Sequence, residues 1–279
     1  MFSPFFCIML NYSSIGERCG ELNQHKKMLE TALLAGQIMT ESNAESYRVE
    51  DTMNRILTSS NAAYAVAVSF STSLYATLDD PSFTDGSFTG IKRINSKSTN
   101  LNKIALVNEV SRQLTSNKIN IDQAYQQLLE IKQQKPQYNR LEQSFAIVGL
   151  AASFSVLFGG SLVDLIAATI NGIILALLIR LTDRYYINSG ISNVFQAFVV
   201  TLVSFLLQLF VIHSISTDIV TVSTLMPMVP GTAITNSLRD IFREDYIAGG
   251  ARAMEAFLDA LMIALGAAIA LSLLRGTIL

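Results

Sequence analysis

The chain has 279 residues, 50% hydrophobic and 15% charged, and its 20 Lys+Arg against 22 Asp+Glu leave a formal net charge of −2. That balance offers no basic surface for nucleic acid. Cys7 and Cys19, the only cysteines, form neither a CxxC metal site nor a disulfide framework. The charges are unevenly placed: residues 1–140 hold 14 of the 20 basic and 13 of the 22 acidic residues, and beyond Ser144 long apolar runs alternate with short charged punctuation. The pattern predicts a poorly structured extension at 1–24, an α+β domain at 25–140 and an all-α polytopic membrane domain at 141–279. The opening MFSPFFCIML is apolar but lacks a basic flank and a clear cleavage site, so it is not read as a signal peptide.

In the first half, residues 26–40 carry a helical stripe of Met28, Leu29, Ala32, Leu33, Gly36 and Met39. Ser42 and Glu45 then stand at capping-box spacing and predict a second helix, with Tyr47, Val49, Met53 and Ile56 for burial. On it, Glu45, Arg48 and Asp51 are spaced for a charge ladder or a solvated face. Residues 65–78 alternate with a period of two and predict strands with a tight turn near 71–73; 90–96 reads as a further strand. Helical periodicity returns at 100–117 and 121–134, with Asn120 or Asp122 as cap and Pro136 as terminator. No P-loop, GxGxxG, HExxH or nucleophile elbow occurs, so no enzyme, metal or cofactor is expected. A regulatory or scaffolding role fits this domain.

The second half holds apolar segments at 143–162, 163–182, 194–213, 215–229 and 253–274. About 20 helical residues cross a bilayer core of about 30 Å. Five spans are therefore expected, the fourth short and running into Pro227 and Pro230, which break the helix. Gly231 permits backbone angles forbidden to other residues, and Thr232 can cap a new helix to about Phe242. A broken helix at membrane depth must be buried in protein or line a wet cavity, as in many transporter sites. A loop at the membrane surface followed by a polar helix would have the same pattern. With the N-terminal domain inside, five crossings put Arg180, Arg184, Arg239, Arg243 and Arg252 inside and leave only Arg275 outside, which favours a cytoplasmic N-terminus and an external C-terminus.

Ionisable and polar groups within spans are costly and call for a role. Asp164 and Asn171, seven apart, share one helix face, and Glu255 and Asp259, four apart, share another; these are the candidates for ion coupling. Acids near a helix N-terminus also complement its dipole, and Asp164 can equally sit in water at the end of its helix. Gln196, Gln208 and His213 are isolated and read as helix–helix contacts.

Three stretches together resemble the threonine/serine exporter family of bacterial membrane proteins: GQIMTESNAESYRVEDTMNRI at 36–56, FGGSLVDLIAATING at 158–172, and PGTAITNSLRDIFREDYIAGGARAMEAF at 230–257. Asn43 stands where the family usually has glycine, and asparagine tolerates the left-handed conformation. The resemblance implies an efflux carrier of the bacterial inner membrane, with no cofactor, driven by the membrane gradient. Fused members carry further spans, so the chain looks like the larger subunit of the split branch. That branch needs a small membrane companion and is linked to dicarboxylates such as succinate, whereas the fused branch exports threonine and serine. Both substrate classes bear a carboxylate, which suits free amides at a helix start. The candidate substrate residues are Pro230, Gly231, Thr232, Thr235, Arg239 and Asp240; Arg239 could grip a carboxylate or pair with a nearby acid. The competing expectation is a scaffold or sensor whose spans only anchor it. Small residues at Gly266, Ala267 and Ala270 are expected to face a partner helix.

Overall fold

A computed structural model of the chain describes residues 24–83, 86–95, 97–135, 137–211 and 213–278. The expected extension at 1–24 (but for residue 24), both cysteines and Pro136 lie outside the described residues. The chain divides into two compact units. One comprises Met1–Lys135 with Thr235–Arg252, the other Pro136–Ile234 with Ala253–Leu279. The segment Thr235–Arg252, placed with the second half by the sequence boundary near 140, thus packs with the first unit.

Helix α1 (24–41) runs through the middle of the first unit. Every residue from 31 to 40 is buried, as expected of a helix whose TALLAGQIMT run has no charged face. Gly36 lets α2 (Ser46–Thr58) come close, since a Cβ there would meet Met53 Sδ at 2.3 Å. Between the two helices the chain turns through Asn43 at φ 63°, the left-handed conformation anticipated for it. The capping box does not form. Ser42 N still donates to Ile38 O and Met39 O at the end of α1, so Ser42 cannot also begin α2. Glu45 occupies the cap position without a side-chain cap bond. No charge ladder forms either: Asp51 bonds Arg55, 2.9 Å away, one turn further on.

Strands β1 (Tyr64–Ser69), β2 (Ser73–Asp79) and β3 (Phe88–Arg93) form an antiparallel sheet in that order. Leu74, Ala76 and Leu78 of β2 face the core. The register pairs Ala76 with Ala67 and Leu74 with Ser69, so small residues of β1 share that face while Val66 and Val68 point outward. Helices α3 (Leu101–Thr115) and α4 (Ile121–Gln133) close the core with Val107 and Leu128. Asn120 is the cap of α4, through a reciprocal box with Gln123.

The second unit contains α5 (Arg140–Leu157), α6 (Leu162–Arg184), α7 (Ser189–Phe210) and α8 (Thr217–Leu225), a 3-10 turn at Met226–Met228, the first turn of α9 (Gly231–Phe242), and α10 (Tyr246–Ile278) from residue 253 onward. Among the described residues, three helices are long and apolar enough to cross a membrane: Leu162–Arg184, Ser189–Phe210 and Tyr246–Leu274. Arg140 and Glu142 occupy the start of α5, and the nine residues of α8 reach only about 14 Å. Neither meets the measure, although both are among the five expected spans. Gly159, at φ 79°, follows the end of α5. His213 lies outside α7 and is exposed.

The glycines of α10 lie within the helix. A Cβ on Gly266 would meet Val194 O of α7 at 2.2 Å, and Ala270 is fully buried. This small-residue face is therefore used within the chain, against α7, and is not a free surface awaiting a partner helix.

Candidate functional site

The break itself is well defined. Helix α8 stops at Leu225, Val229 is extended (φ −65°, ψ 127°), and α9 starts at Gly231 with Ile234 N donating to Pro230 O. Two expectations change here. Gly231 is the first residue of α9 and lies outside the positive-φ glycines, and a Cβ on it would meet nothing within 4 Å. Thr232 is inside the first turn, because Pro230 already supplies the capping carbonyl. Thr232 and Thr235 are exposed.

The second half of α9 belongs to the first unit, and its polar stripe explains why. Positions 236, 239, 240 and 243 recur at helical spacing and meet the α1–α2 turn one after another. Asn236 Nδ2 donates to Asn43 O (3.0 Å), the Arg239 guanidinium pairs with Glu45, Ser46 N donates to Asp240 Oδ1 (3.1 Å), and Arg243 lies 3.6 Å above the Tyr47 ring. Asp240 thus supplies the cap that α2 lacks from its own sequence.

Asp240 is fully buried, with Oδ2 3.3 Å from Nη1 of Arg252, itself 2% exposed. The pair lacks hydrogen-bond alignment, and Arg252 Nε and Nη1 have no other bond. Burial pushes the Asp240 carboxyl above its ordinary range, against the pull of Arg252 and the Ser46 amide, while Asp245 and Glu45 push it further up. Burial likewise raises the nearby Glu50 carboxyl, although it accepts from Ser69 N. Gly249 permits the α9–α10 approach that this cluster needs: a Cβ there would meet Ile241 N at 2.9 Å and Ser237 O at 3.0 Å.

The membrane unit has its own polar interior along one stripe of α6: Asp164, Ala167, Ala168, Asn171, Gly172 and Leu175 are all buried. Asp164 joins two helix starts. Its Oδ2 accepts from Ser161 N and Oγ (2.8 and 2.7 Å), and its Oδ1 accepts from Ser216 N (2.7 Å), just ahead of α8. Two turns on, about 10 Å along the axis, Asn171 Nδ2 donates to Val200 O (3.0 Å) and Ser204 Oγ (2.9 Å) of α7. Asn171 Oδ1, Ser155 Oγ and Thr201 Oγ1 are buried without a hydrogen-bond partner. Ser155 belongs near Asp164, since both border the place a Gly160 Cβ would occupy. Asp164 and Asn171 thus share one inner face, as their spacing indicated. The other expected pair lies elsewhere: Asp259 accepts from Asn193 of α7 (3.4 Å), and Glu255 is exposed. Gln196 donates to Thr182 (2.8 Å) and Gln208 to Ile215 O (3.2 Å), in helix- and loop-packing roles.

Periodicity missed Ser155, Thr201 and Ser204, because single hydroxyls in apolar helices carry no spacing signal. No group of three metal-ligating side chains occurs among the described residues. An apolar groove of about 520 Å³ between α7 and α10, lined by Val194, Phe195, Phe198 and Met262, is too poor in polar groups to hold a charged solute.

A family model described as "Putative threonine/serine exporter" matches residues 30–274. No curated protein and no solved structure matches the chain.

Proposed function

The chain belongs to the threonine/serine exporter family, and from that premise we propose that it moves small carboxylate-bearing metabolites, threonine and serine or a dicarboxylate such as succinate, out across the inner membrane under the proton-motive force. The observation that carries this reading is the polar inner face of α6. An anchor has no use for Asn171, Ser155 and Thr201 buried with unpartnered oxygens, because each such group costs free energy in an apolar surround. A solute with hydroxyl and ammonium donors would satisfy them. Asp164, held in place by Ser161 and Ser216, is the acid best placed on that face to answer a proton; Asp259 and Glu255 are assigned to the α7–α10 side.

In this reading the segment after α8 divides its work. Pro230, Gly231, Thr232 and Thr235 form the end that meets the substrate carboxylate. Arg239 and Asp240 instead hold the α1–α2 turn within the first unit. Five crossings, with α5 and the α8 half-helix counted, keep the N-terminal unit in the cytoplasm and the C-terminus outside. A small membrane companion completes the translocation pathway.

Efflux from preloaded membrane vesicles, with labelled threonine, serine and succinate and with or without the companion, tests the function. Asn171→Leu should abolish export at unchanged membrane abundance; wild-type export by that variant would remove the α6 face from the pathway. For topology, an externally active reporter should work after Leu279 and fail after Arg184, and an inactive Leu279 fusion would sink the five-span arrangement.

A further inference from the structure

A second polar site lies wholly within the N-terminal unit. On α2, Arg48, Asp51, Thr52 and Arg55 stand at i, i+3, i+4 and i+7; on α3, Asn108, Ser111 and Arg112 stand at i, i+3 and i+4. Such spacing puts each set on one helix face, and together they line one cleft of about 170 Å³.

Three guanidiniums face one carboxylate there. Asp51 is spent on Arg55, with which it forms an ion pair. Arg48 and Arg112 form no ion pair among the described residues. Two neutral donors line the same cleft. Ser111 is 3% exposed, and its Oγ is buried with no hydrogen-bond partner, a condition that costs free energy unless a ligand relieves it. Thr52 Oγ1 donates to Asn108 Oδ1 (3.1 Å), which turns the Asn108 amide N–H groups toward other acceptors. A basic cleft with an orphaned hydroxyl is complementary to a compact oxoanion.

A neighbouring cleft makes the contrast. Lys97, Lys103 and Lys132 line it with Glu41, but Lys103 Nζ already donates to Lys132 O and Lys132 Nζ to Gln37 Oε1. Its ammonium groups serve the protein's own oxygens, and it holds no orphaned buried atom of the kind found at Ser111.

We infer that the α2–α3 cleft is a binding site for a small oxoanion, a carboxylate or phosphate group, held by Arg48 and Arg112 with Ser111 and Asn108 as neutral donors. The site is separate from the α6 face. Tyr47, which also lines it, lies under Arg243 at the end of the α9 stripe, so an occupant would sit one side chain from the contact that fastens α9.

The test is calorimetric titration of the full-length chain in lipid nanodiscs with inorganic phosphate, succinate and threonine in separate arms. Saturable binding of phosphate, succinate or both is expected, the stronger arm naming the ligand class. Threonine should bind this cleft weakly, because its ammonium meets net positive charge. Arg48→Gln/Arg112→Gln should lower affinity at least about tenfold and Ser111→Ala by a few-fold. Lys103→Gln, in the neighbouring cleft, should change nothing. Both arginines are on the surface side of their helices, so retained helicity and melting confirm that the double variant is folded. The absence of saturable phosphate and succinate binding in the wild type overturns the inference. So does binding that survives in the folded double arginine variant, which would place the ligand elsewhere in the chain.

Discussion

Replacing Asp240 by Asn leaves an oxygen to accept from Ser46 N but removes the one charge that, among the described residues, pairs with buried Arg252. An unpaired buried guanidinium costs about 3–5 kcal/mol, well above the roughly 1 kcal/mol of a lost helix cap. Asp240→Asn should therefore loosen the first unit by an amount set by Arg252, and Asp240→Ala by about 1 kcal/mol more. Adding Arg252→Met to Asp240→Asn should restore most of the loss, because a buried pair replaced by apolar packing is often neutral. Hydrogen exchange at the α2 amides of the full-length chain reads this locally, which matters because a two-unit membrane protein does not melt in one step. If Asp240→Asn costs less than about 1 kcal/mol, or if adding Arg252→Met brings no recovery, the buried-charge argument fails.

Gly249→Ala should separate α9 from α10, since backbone atoms at 2.9 and 3.0 Å cannot yield as a flexible side chain would; a cost of about 1–3 kcal/mol is expected by thermal protection assay, whereas Gly250→Ala, with nothing within 4 Å, should be neutral or slightly stabilising. Gly231→Ala should leave the fold and membrane abundance unchanged, because its backbone is helical and its surroundings are open, yet lower export, because the substrate carboxylate is placed at this end of α9; unchanged export would remove Gly231 from the substrate end. Arg239→Lys should retain most of the pairing with Glu45 and leave efflux at matched abundance near wild type, while Glu45→Gln, which removes the charge partner, should loosen the α1–α2 turn; a strong loss of efflux in Arg239→Lys alone would return Arg239 to the substrate site. The Asp80 carboxylate, held below its ordinary range by Ser82 and the Ala63 amide, should support the loop before β3 above the ordinary carboxylate pKa and lose that support as pH falls through its depressed value, a change visible as faster amide exchange at Ser82.

Much of the fold is legible in the sequence because it rests on local pattern. The strands of the hairpin, Asn120 as a cap, the left-handed Asn43 and the break after α8 each follow from a few adjacent residues. Errors arise where one residue has two suitors. Ser42 fits a capping box by spacing, yet its amide is already committed to α1. Gly266 fits a free face, yet it is a close-approach glycine inside α10. Local propensity is overruled in each case by a partner that spacing cannot name.

The α9 stripe shows why candidate sites are harder to read than elements. Asn236, Arg239, Asp240 and Arg243 announce a polar helix face, and a polar face beside apolar spans suggests either solute or solvent. Their partners, Asn43 to Tyr47, stand 194 residues away in the pairs Glu45–Arg239 and Ser46–Asp240. Nothing local to either segment records the other. What the sequence does record is a deficit on each side: α2 opens with Glu45 and no cap of its own, and α9 carries a carboxylate that must be buried. A helix start without a cap and an acid without water are complementary needs. Matching such deficits across a chain is a physical criterion that periodicity lacks, and for these two segments it assigns Asp240 to the α1–α2 turn and not to a substrate.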